Sequence, residues 1–553
     1  MSIRPFLAAA AALALAGAAF ADPASDPHIS AKALSEHIRV LSSDAFEGRG
    51  PATPAEAKVL DYVIGQFRKE GLKPGGESTG PWGKWVQDVP LARFQVTGPV
   101  AMSLSEGGTV IPMTQGEQAV VQTLTPVDHV SIKDARLVFI GYGVKAPERR
   151  WDDFKGVDLH GKIAVVLIND PDYEADLGGR FDGKAMTYYG RWTYKYEEAA
   201  RQGALGMLII HETGPAAYGW QTVRNSNGNA QFDIVRADAS KAHPLLQGWI
   251  QRDVAVQLFK SAGLDFEAEK KKAQSEDFHP VALTGASFSA DYAVDHSQIV
   301  THNIVARLPG KTHPGETMIY TAHWDHLGVG APDARGDRIY NGAVDNGTGV
   351  AALLELGRAF AKAPRTDRSV VFLVVTAEEK GLLGSAYYAS HPIYPLAKTV
   401  ADINLDALDT DGLARDVTTS GNGKLTLQDD LIVQIKKQHR YFTPDPSPEQ
   451  GHFYRSDHFS FAKVGVPALS VGSGQDLVQG GVAAGSAWQK EYVAHRYHQP
   501  ADEWSADWDL SGEVKDITLV YNLGRELANS REWPVWKDGS EFKATRDATA
   551  GER

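Results

Sequence analysis

The sequence predicts an α/β protein: a mostly parallel central sheet flanked by helices, with a smaller β-rich domain inserted into it. After Ser287, short apolar runs ("TMIYTA", "SVVFLVVTA", "VADINLDAL", "VPALSV") alternate with helical segments starting near Thr348 and Lys380. That alternation is what a parallel sheet covered by helices produces. A second group of buried runs, "ARLVFIGYGV", "GKIAVVLIND" and "LGMLIIHE", lies between about Val130 and Ala286 and reads as a module of its own. The 553 residues, 43% hydrophobic and 23% charged, have ordinary globular composition and are too many for one small domain.

Taken in order, "MSIRPFLAAAAALALAGAAFADPAS" places one Arg before an apolar run and an Ala19-Phe20-Ala21 site, the pattern of a secretory signal peptide over 1–21. Its apolar run is shorter than the ~20 residues a spanning helix needs, and no later segment is long and apolar enough, so no membrane anchor is expected. The larger domain begins over 22–127, where "AEAKVLDYVIGQFRKEGL" puts Val59, Tyr62, Val63 and Phe67 on one helical face and ends at Gly71. The insert is expected over 128–286, the larger domain resumes over 287–535, and 536–553 reads as a C-terminal tail.

A formal net charge of −13 leaves no broad basic surface for phosphates, which argues against a nucleic-acid partner. Zero cysteines exclude disulfides, thiolate nucleophiles and thiolate metal ligands. An acidic chain with no sulfur ligands suits a metal held by oxygen and imidazole.

In an α/β sheet ligands gather at the carboxyl ends of strands, and there the sequence concentrates its chemistry. "IYTAHWDHLGVG" ends a strand with His323, Trp324, Asp325 and His326. If the backbone stays extended, His323 and Asp325 share one face and Trp324 and His326 the other. His323 then binds metal, Asp325 supports its second ring nitrogen, and His326 faces away. Asp345 precedes Asn346-Gly347 at the start of a helix, where a capping role is the simpler reading. Glu378 and Glu379 follow the next strand without a spacer. Adjacent carboxylates repel unless a cation or shared proton compensates, so one suits a metal and the other a proton. Asp406 ends the strand after that, and "RYHQPADEW" supplies His498 in a Pro-bounded loop. Two histidines and three carboxylates suit two bridged divalent ions, which activate water and polarise a carbonyl while the spare glutamate carries the proton.

The order His323-x-Asp325, Asp345-Asn346-Gly347, Glu378-Glu379, Asn404-x-Asp406 and Tyr497-His498 resembles the di-zinc aminopeptidase and glutamate carboxypeptidase family of secreted metallo-exopeptidases. The early "LSSDAFEGRG" looks like that family's N-terminal signature. The resemblance implies a zinc-exopeptidase fold of the phosphorylase/hydrolase-like kind and two divalent ions, zinc. Asp345 would bridge them, His323 and Asp406 completing one set and Glu379 and His498 the other. Glu378 would be the general base and later acid, and a cis peptide would follow Asp345. It further implies a Ser456-Asp457-His458 segment near the site, with Tyr454 as an oxyanion donor. A Ser-His-Asp nucleophilic triad built from three consecutive residues is geometrically unsuited. The insert resembles a protease-associated domain.

The expected function is that of an exported exopeptidase, periplasmic or extracellular, acting on peptides, most naturally as an aminopeptidase. The alternatives are a carboxypeptidase on acidic peptides, for which Arg335, Arg338 and Arg455 are available, a glutaminyl cyclase on the same scaffold, and a receptor-like binding protein.

Overall fold

A computed structural model of the chain describes residues 27–553 apart from 176 and 422. The signal peptide expected at 1–21 lies outside the described residues. The larger body is built on four parallel strands in the order Ala468–Ser473, Thr399–Asn404, His313–His323 and Arg368–Val375. Antiparallel strands close both sides, Asp416–Thr419 beside the first and Val281–Leu308 beside the last.

Strand Arg368–Val375 shows why this sheet reads as an unbroken apolar run. Every residue is buried, because side chains alternate between two cores on opposite faces. Val370, Phe372 and Val374 enter a core with helices Ala31–Leu41, Pro54–Lys69, Gly349–Lys362 and Ser511–Asn529. Val371, Leu373 and Val375 enter the other, with Tyr388 and Phe461. Helix Pro54–Lys69 starts with Pro at its first position after Thr53 and buries Val59, Leu60, Val63, Ile64 and Phe67, as a one-sided helix should.

The strand Val281–Leu308 runs 28 residues and joins two bodies in one sheet. Its end, Ile304–Leu308, pairs with Arg368–Val375, and its beginning pairs with His129–Phe139. From His129–Phe139 the sheet continues in parallel through Lys162–Leu167, Gly206–His211 and Leu246–Gln251, and ends on antiparallel Ala119–Gln122. With helices Trp192–Arg201 and Arg252–Ser261, this second body is itself α/β in character.

The boundary expected at 127/128 falls inside the second body's core, since Phe94, Met102, Leu104, Met113, Ala119 and Val121 pack there with Val130 and Val294. Half-buried alternating strands such as Val86–Glu106 do not announce which core they serve. Segment 536–553 is not a loose tail: Trp536 and Phe542 join the larger core, and buried Arg546 donates to the carbonyls of Leu396 and Thr399.

Candidate metal centre

Five segments meet at the carboxyl edge of the parallel strands. His323 is the last residue of its strand, and Glu378, Glu379 and Asp406 follow theirs within a few residues. Asp345 lies in the irregular turn Ala343–Thr348 ahead of helix Gly349–Lys362, and the Asp345–Asn346 peptide is cis. His498 reaches over from the loop after helix Gly481–His495.

The side chains converge. His323 Nε2 is 3.1 Å from Asp406 Oδ1 and 3.2 Å from Asp345 Oδ1. His498 Nε2 is 3.2 Å from Asp345 Oδ2 and 3.2 Å from Glu379 Oε2. Asp345 thus offers one oxygen to each histidine. His323 Nδ1 lies 3.0 Å from the Asp325 carbonyl, to which it can only donate, so Nε2 is the ring nitrogen left facing the carboxylates.

The donor set fits divalent metal. Imidazole nitrogen and carboxylate oxygen without sulfur suit zinc, and a tetrahedral ion with bonds of about 2.0 Å needs ligand atoms about 3.3 Å apart. His323, Asp345 and Asp406 form one group of potential ligands, and His326, Asp345 and Glu379 a second. Glu379 Oε1 and both ring nitrogens of His326 are buried without hydrogen bonds, although His326 Nδ1 is only 2.6 Å from Oε1. Buried polar atoms in close contact but out of hydrogen-bond line have unspent capacity that a cation would use.

The charges tell the same story. Burial opposes charge on His323, yet the carboxylates of Asp406 and Glu378 and hydrogen bonds to Asp345 and Asp406 raise its pKa well above the usual. His498, also working against burial, is lifted by Glu379 and Asp345 to about 10. Burial alone would raise Asp345, but its bonds to His323 and His498 hold it well below the ordinary carboxylate range. Glu378 goes the other way: burial and the charges of Glu379, Asp406 and Asp457 push it well up, though His323 pulls down. Such a cage attracts positive charge, and it sets Glu378 apart from its neighbours as the more basic carboxyl.

Several expected placements are corrected. His326 does not face away; it is fully buried in the cage, against Glu379 and edge-on to His498 at 5.6 Å between ring centroids. The strand ends at His323, so two-residue alternation no longer governs the residues that follow. Asp325 meets His323 through its carbonyl; its carboxylate accepts instead from the backbone N–H of Glu378 at 3.1 Å and of Glu379 at 3.4 Å. Burial raises that carboxyl to about 6.

Ser456 Oγ donates to Asp406 Oδ2 at 2.5 Å. Its two neighbours point elsewhere, Asp457 taking a 2.6 Å bond from Ser385 Oγ and His458 packing edge-on against Phe453. Tyr454 directs its hydroxyl to Lys424 and Glu541, at 3.2 and 3.1 Å, and is not placed as an oxyanion donor. The tyrosine at the cage is Tyr497. Although the residue is 42% exposed, its ring stacks on His498 at 3.9 Å, and burial followed by the charges of Asp345, Glu379, Glu378 and Asp406 raises its hydroxyl well above the usual range.

Two positioning residues escaped the sequence reading. Asp502 accepts from the backbone N–H of Val344 and Asp345 at 3.0 and 3.1 Å; its signal is an acidic residue just past His498 in the same loop. Arg49, in the "EGRG" of the early signature, is buried and donates to the carbonyls of Trp324, Leu41, Asn341 and Gly342. It ties the loop after His323 to the turn before Asp345.

Residues 303–522 match Peptidase family M28. Among curated relatives, a probable zinc metalloprotease of Pyrenophora tritici-repentis is 36% identical over 21% of this chain and 26% of its own length. Aminopeptidase YwaD of Bacillus subtilis is 33% identical over 18% and 19%, and leucine aminopeptidase 2 of Trichophyton rubrum is 27% identical over 52% and 56%. The chain thus spans about a quarter or less of the first two and about half of the third. Among solved structures, the aminopeptidase from Aneurinibacillus sp. strain AM-1 is similar over 91% of this chain and 95% of its own, at 20% identity and a TM-score of 0.49. The ligand cage lies wholly inside the segment, residues 303–522, that matches Peptidase family M28.

Proposed function

We propose that the protein is an exported, metal-dependent exopeptidase, an aminopeptidase that removes the terminal residue of peptides. One observation carries the reading: Asp345 sits between two imidazoles, an oxygen toward each, with Asp406 beside one and Glu379 beside the other. His323, Asp345 and Asp406 would hold one zinc ion, and Asp345, Glu379 and His498 the other, with His326 packed on Glu379. Bound there, the ions would supply Lewis-acid polarisation of the scissile carbonyl and a more acidic water.

The chain's own residues do the rest. Glu378, whose carboxylate burial and the neighbouring charges make a stronger base than usual, is suited to take a proton from water and return it to the leaving amine. Asp325 fixes the backbone of both glutamates, so the acid–base group and its neighbour hold their positions together. Tyr497 is the hydroxyl suited to donate to the carbonyl oxygen as charge develops there. The similarity to relatives that are themselves aminopeptidases favours release from the amino end.

The second body we read as an inserted, protease-associated-like domain that walls the approach to the site. Met186 N–H donates to the Pro448 carbonyl at 3.0 Å, and Tyr188 stacks on Tyr454 across the seam.

The test is hydrolysis of amino-acid arylamides with free and blocked amino termini, with metal content measured in parallel. Cleavage of only the free-amine substrates, abolished by a chelator and reduced at least a thousandfold by Glu378→Gln with metal retained, is the expected result. Full activity in Glu378→Gln would overturn the mechanism.

A further inference from the structure

Two arginines beside the cage have no counter-charge. Arg191 belongs to the second body, at the residue before helix Trp192–Arg201. Arg455 belongs to the larger body, one residue before Ser456, whose hydroxyl holds Asp406. Among the described residues neither guanidinium forms an ion pair or hydrogen bond, and the Nε of each is buried without a partner. The two residues are half-buried, whereas the fully buried arginines are matched: Arg368 by Glu316, Arg440 by Asp516, Arg49 by four carbonyls. Exposed Arg335, the other candidate for a basic cluster, is neutralised by Asp333 at 2.9 Å.

The two groups lie on segments that pack together, Tyr188 stacking on Tyr454 and Lys463 pairing with Glu197 at 2.7 Å. Burial and the Arg455 charge lower Arg191 to about 10, with Tyr218 and Tyr454 close by. Tyr218 and Tyr497 flank Arg455, and Tyr497 is the ring stacked on His498. Electrostatic neighbours thus run from the second body's arginine through Arg455 to Tyr497, which stacks on a residue of the cage. Two like charges sheltered together without an anion disfavour the folded state, and functional sites are where such arrangements are kept. Paired guanidiniums match a planar carboxylate with forked, charge-assisted hydrogen bonds.

We propose that Arg191 and Arg455 jointly bind a carboxylate of the peptide substrate beside the metal centre, selecting peptides that carry a free carboxylate within a residue or two of the scissile bond. The inference rests on the peptidase reading above. The carboxylate has two sources, an acidic side chain or the carboxyl terminus of a very short peptide, and the substrates below separate them.

The experiment compares kcat/KM of metal-loaded wild type, Arg191→Gln, Arg455→Gln and the double variant on Leu-Gly, Leu-Gly-amide, Leu-Asp-amide, Glu-Gly-amide and a leucine arylamide. Wild type should favour a carboxylate-bearing substrate over its neutral counterpart at least tenfold. The variants should lose about ten- to a hundredfold on it, mainly through KM, while leucine arylamide stays within twofold. Arg455→Lys should recover part of the preference. Preference for Leu-Gly over its amide assigns the carboxyl terminus; preference for the Asp or Glu substrate assigns a side chain.

Because the charges are unpaired, the variants should melt no lower than wild type. Equal kcat/KM on charged and neutral substrates in wild type, or a fall in melting temperature with unchanged selectivity, would overturn the proposal. If wild type cleaved none of these substrates, the peptidase reading would fail first. Calorimetric binding of glutarate to wild type and double variant would then decide the arginine pair alone, equal affinity overturning it.

Discussion

Arg49 offers the sharpest test of how the fold holds the cage. Its guanidinium is 1% exposed and donates at 2.8, 3.0, 2.6 and 2.7 Å to the carbonyls of Trp324, Leu41, Asn341 and Gly342. Two of these carbonyls flank the turn that carries Asp345, and one lies next to His323. Arg49→Met keeps much of the side chain's length but removes the charge and all the donors.

A buried carbonyl left without a partner costs about 1–3 kcal/mol, so four set an upper bound near 12 kcal/mol. Backbone relaxation, entering water and the removed burial of the charge reduce this to about 3–5 kcal/mol. For a domain of this size that is a fall of roughly 5–10 °C in melting temperature. Arg49 also faces Asp502, Asp345, Asp325 and Glu379, which partly offset the burial that lowers it to about 10. Both losses act on ligand placement, so metal affinity should drop about ten- to a hundredfold, as when support behind a ligand is lost. Thermal unfolding with and without metal, together with a competing-chelator titration, measures both effects. A variant that melts within a degree of wild type and holds metal equally well would refute the claim that Arg49 links the two loops.

His326→Ala removes the imidazole 2.6 Å from Glu379 Oε1, and should weaken one of two bound metal equivalents about tenfold in a chelator titration while the other, on the His323 side, is unchanged. Tyr497→Phe should lower kcat by about 10²–10³ with metal content unaltered, since the ring that stacks on His498 is kept and only the hydroxyl is lost. His458, fully buried, is pushed down by burial from 6.5 to about 3. Its folded pKa is depressed, so the unfolded chain takes the proton first, and stability present above pH 6.5 is lost as pH falls toward 3. At about pH 4.5 that loss is about 3 kcal/mol, and His458→Phe should show a correspondingly shallower decline between pH 7 and 4.5 in denaturant unfolding.

The parallel sheet and the gathering of His323, Asp345, Glu379, Asp406 and His498 at one edge could be read from the sequence, because strand ends are marked by apolar runs and ligands cluster past them. What could not be read depends on backbone that has left regular geometry. His326 is three residues beyond a strand end, where alternation has no authority. Tyr454 stands two residues from Ser456, yet it turns toward Lys424, while Tyr497 stacks on His498. Pairings between bodies left no local trace: Arg191 and Arg455 meet only because helix Trp192–Arg201 packs against the segment 448–463, as the Lys463–Glu197 ion pair at 2.7 Å records. Where the second body begins is unmarked in the sequence for the same reason, since Phe94 and Met102 look like any alternating strand until their partners are known.

Glu378 and Glu379 show how identical neighbours acquire different chemistry. In solution both would titrate alike. Here burial raises each, but the charges around them differ: Glu379 has His498 and His326 beside it and is held at about 2, despite Asp345. Glu378 has Asp406, Asp457 and its own neighbour against the single pull of His323, and rises. Environments that drive two carboxyls apart assign one to fixed negative charge and the other to proton transfer. The histidine that strand alternation would have turned away is thus one of two that make Glu379 a permanent anion. Losing it should narrow the gap between the pair, and with it the division between holding a cation and moving a proton.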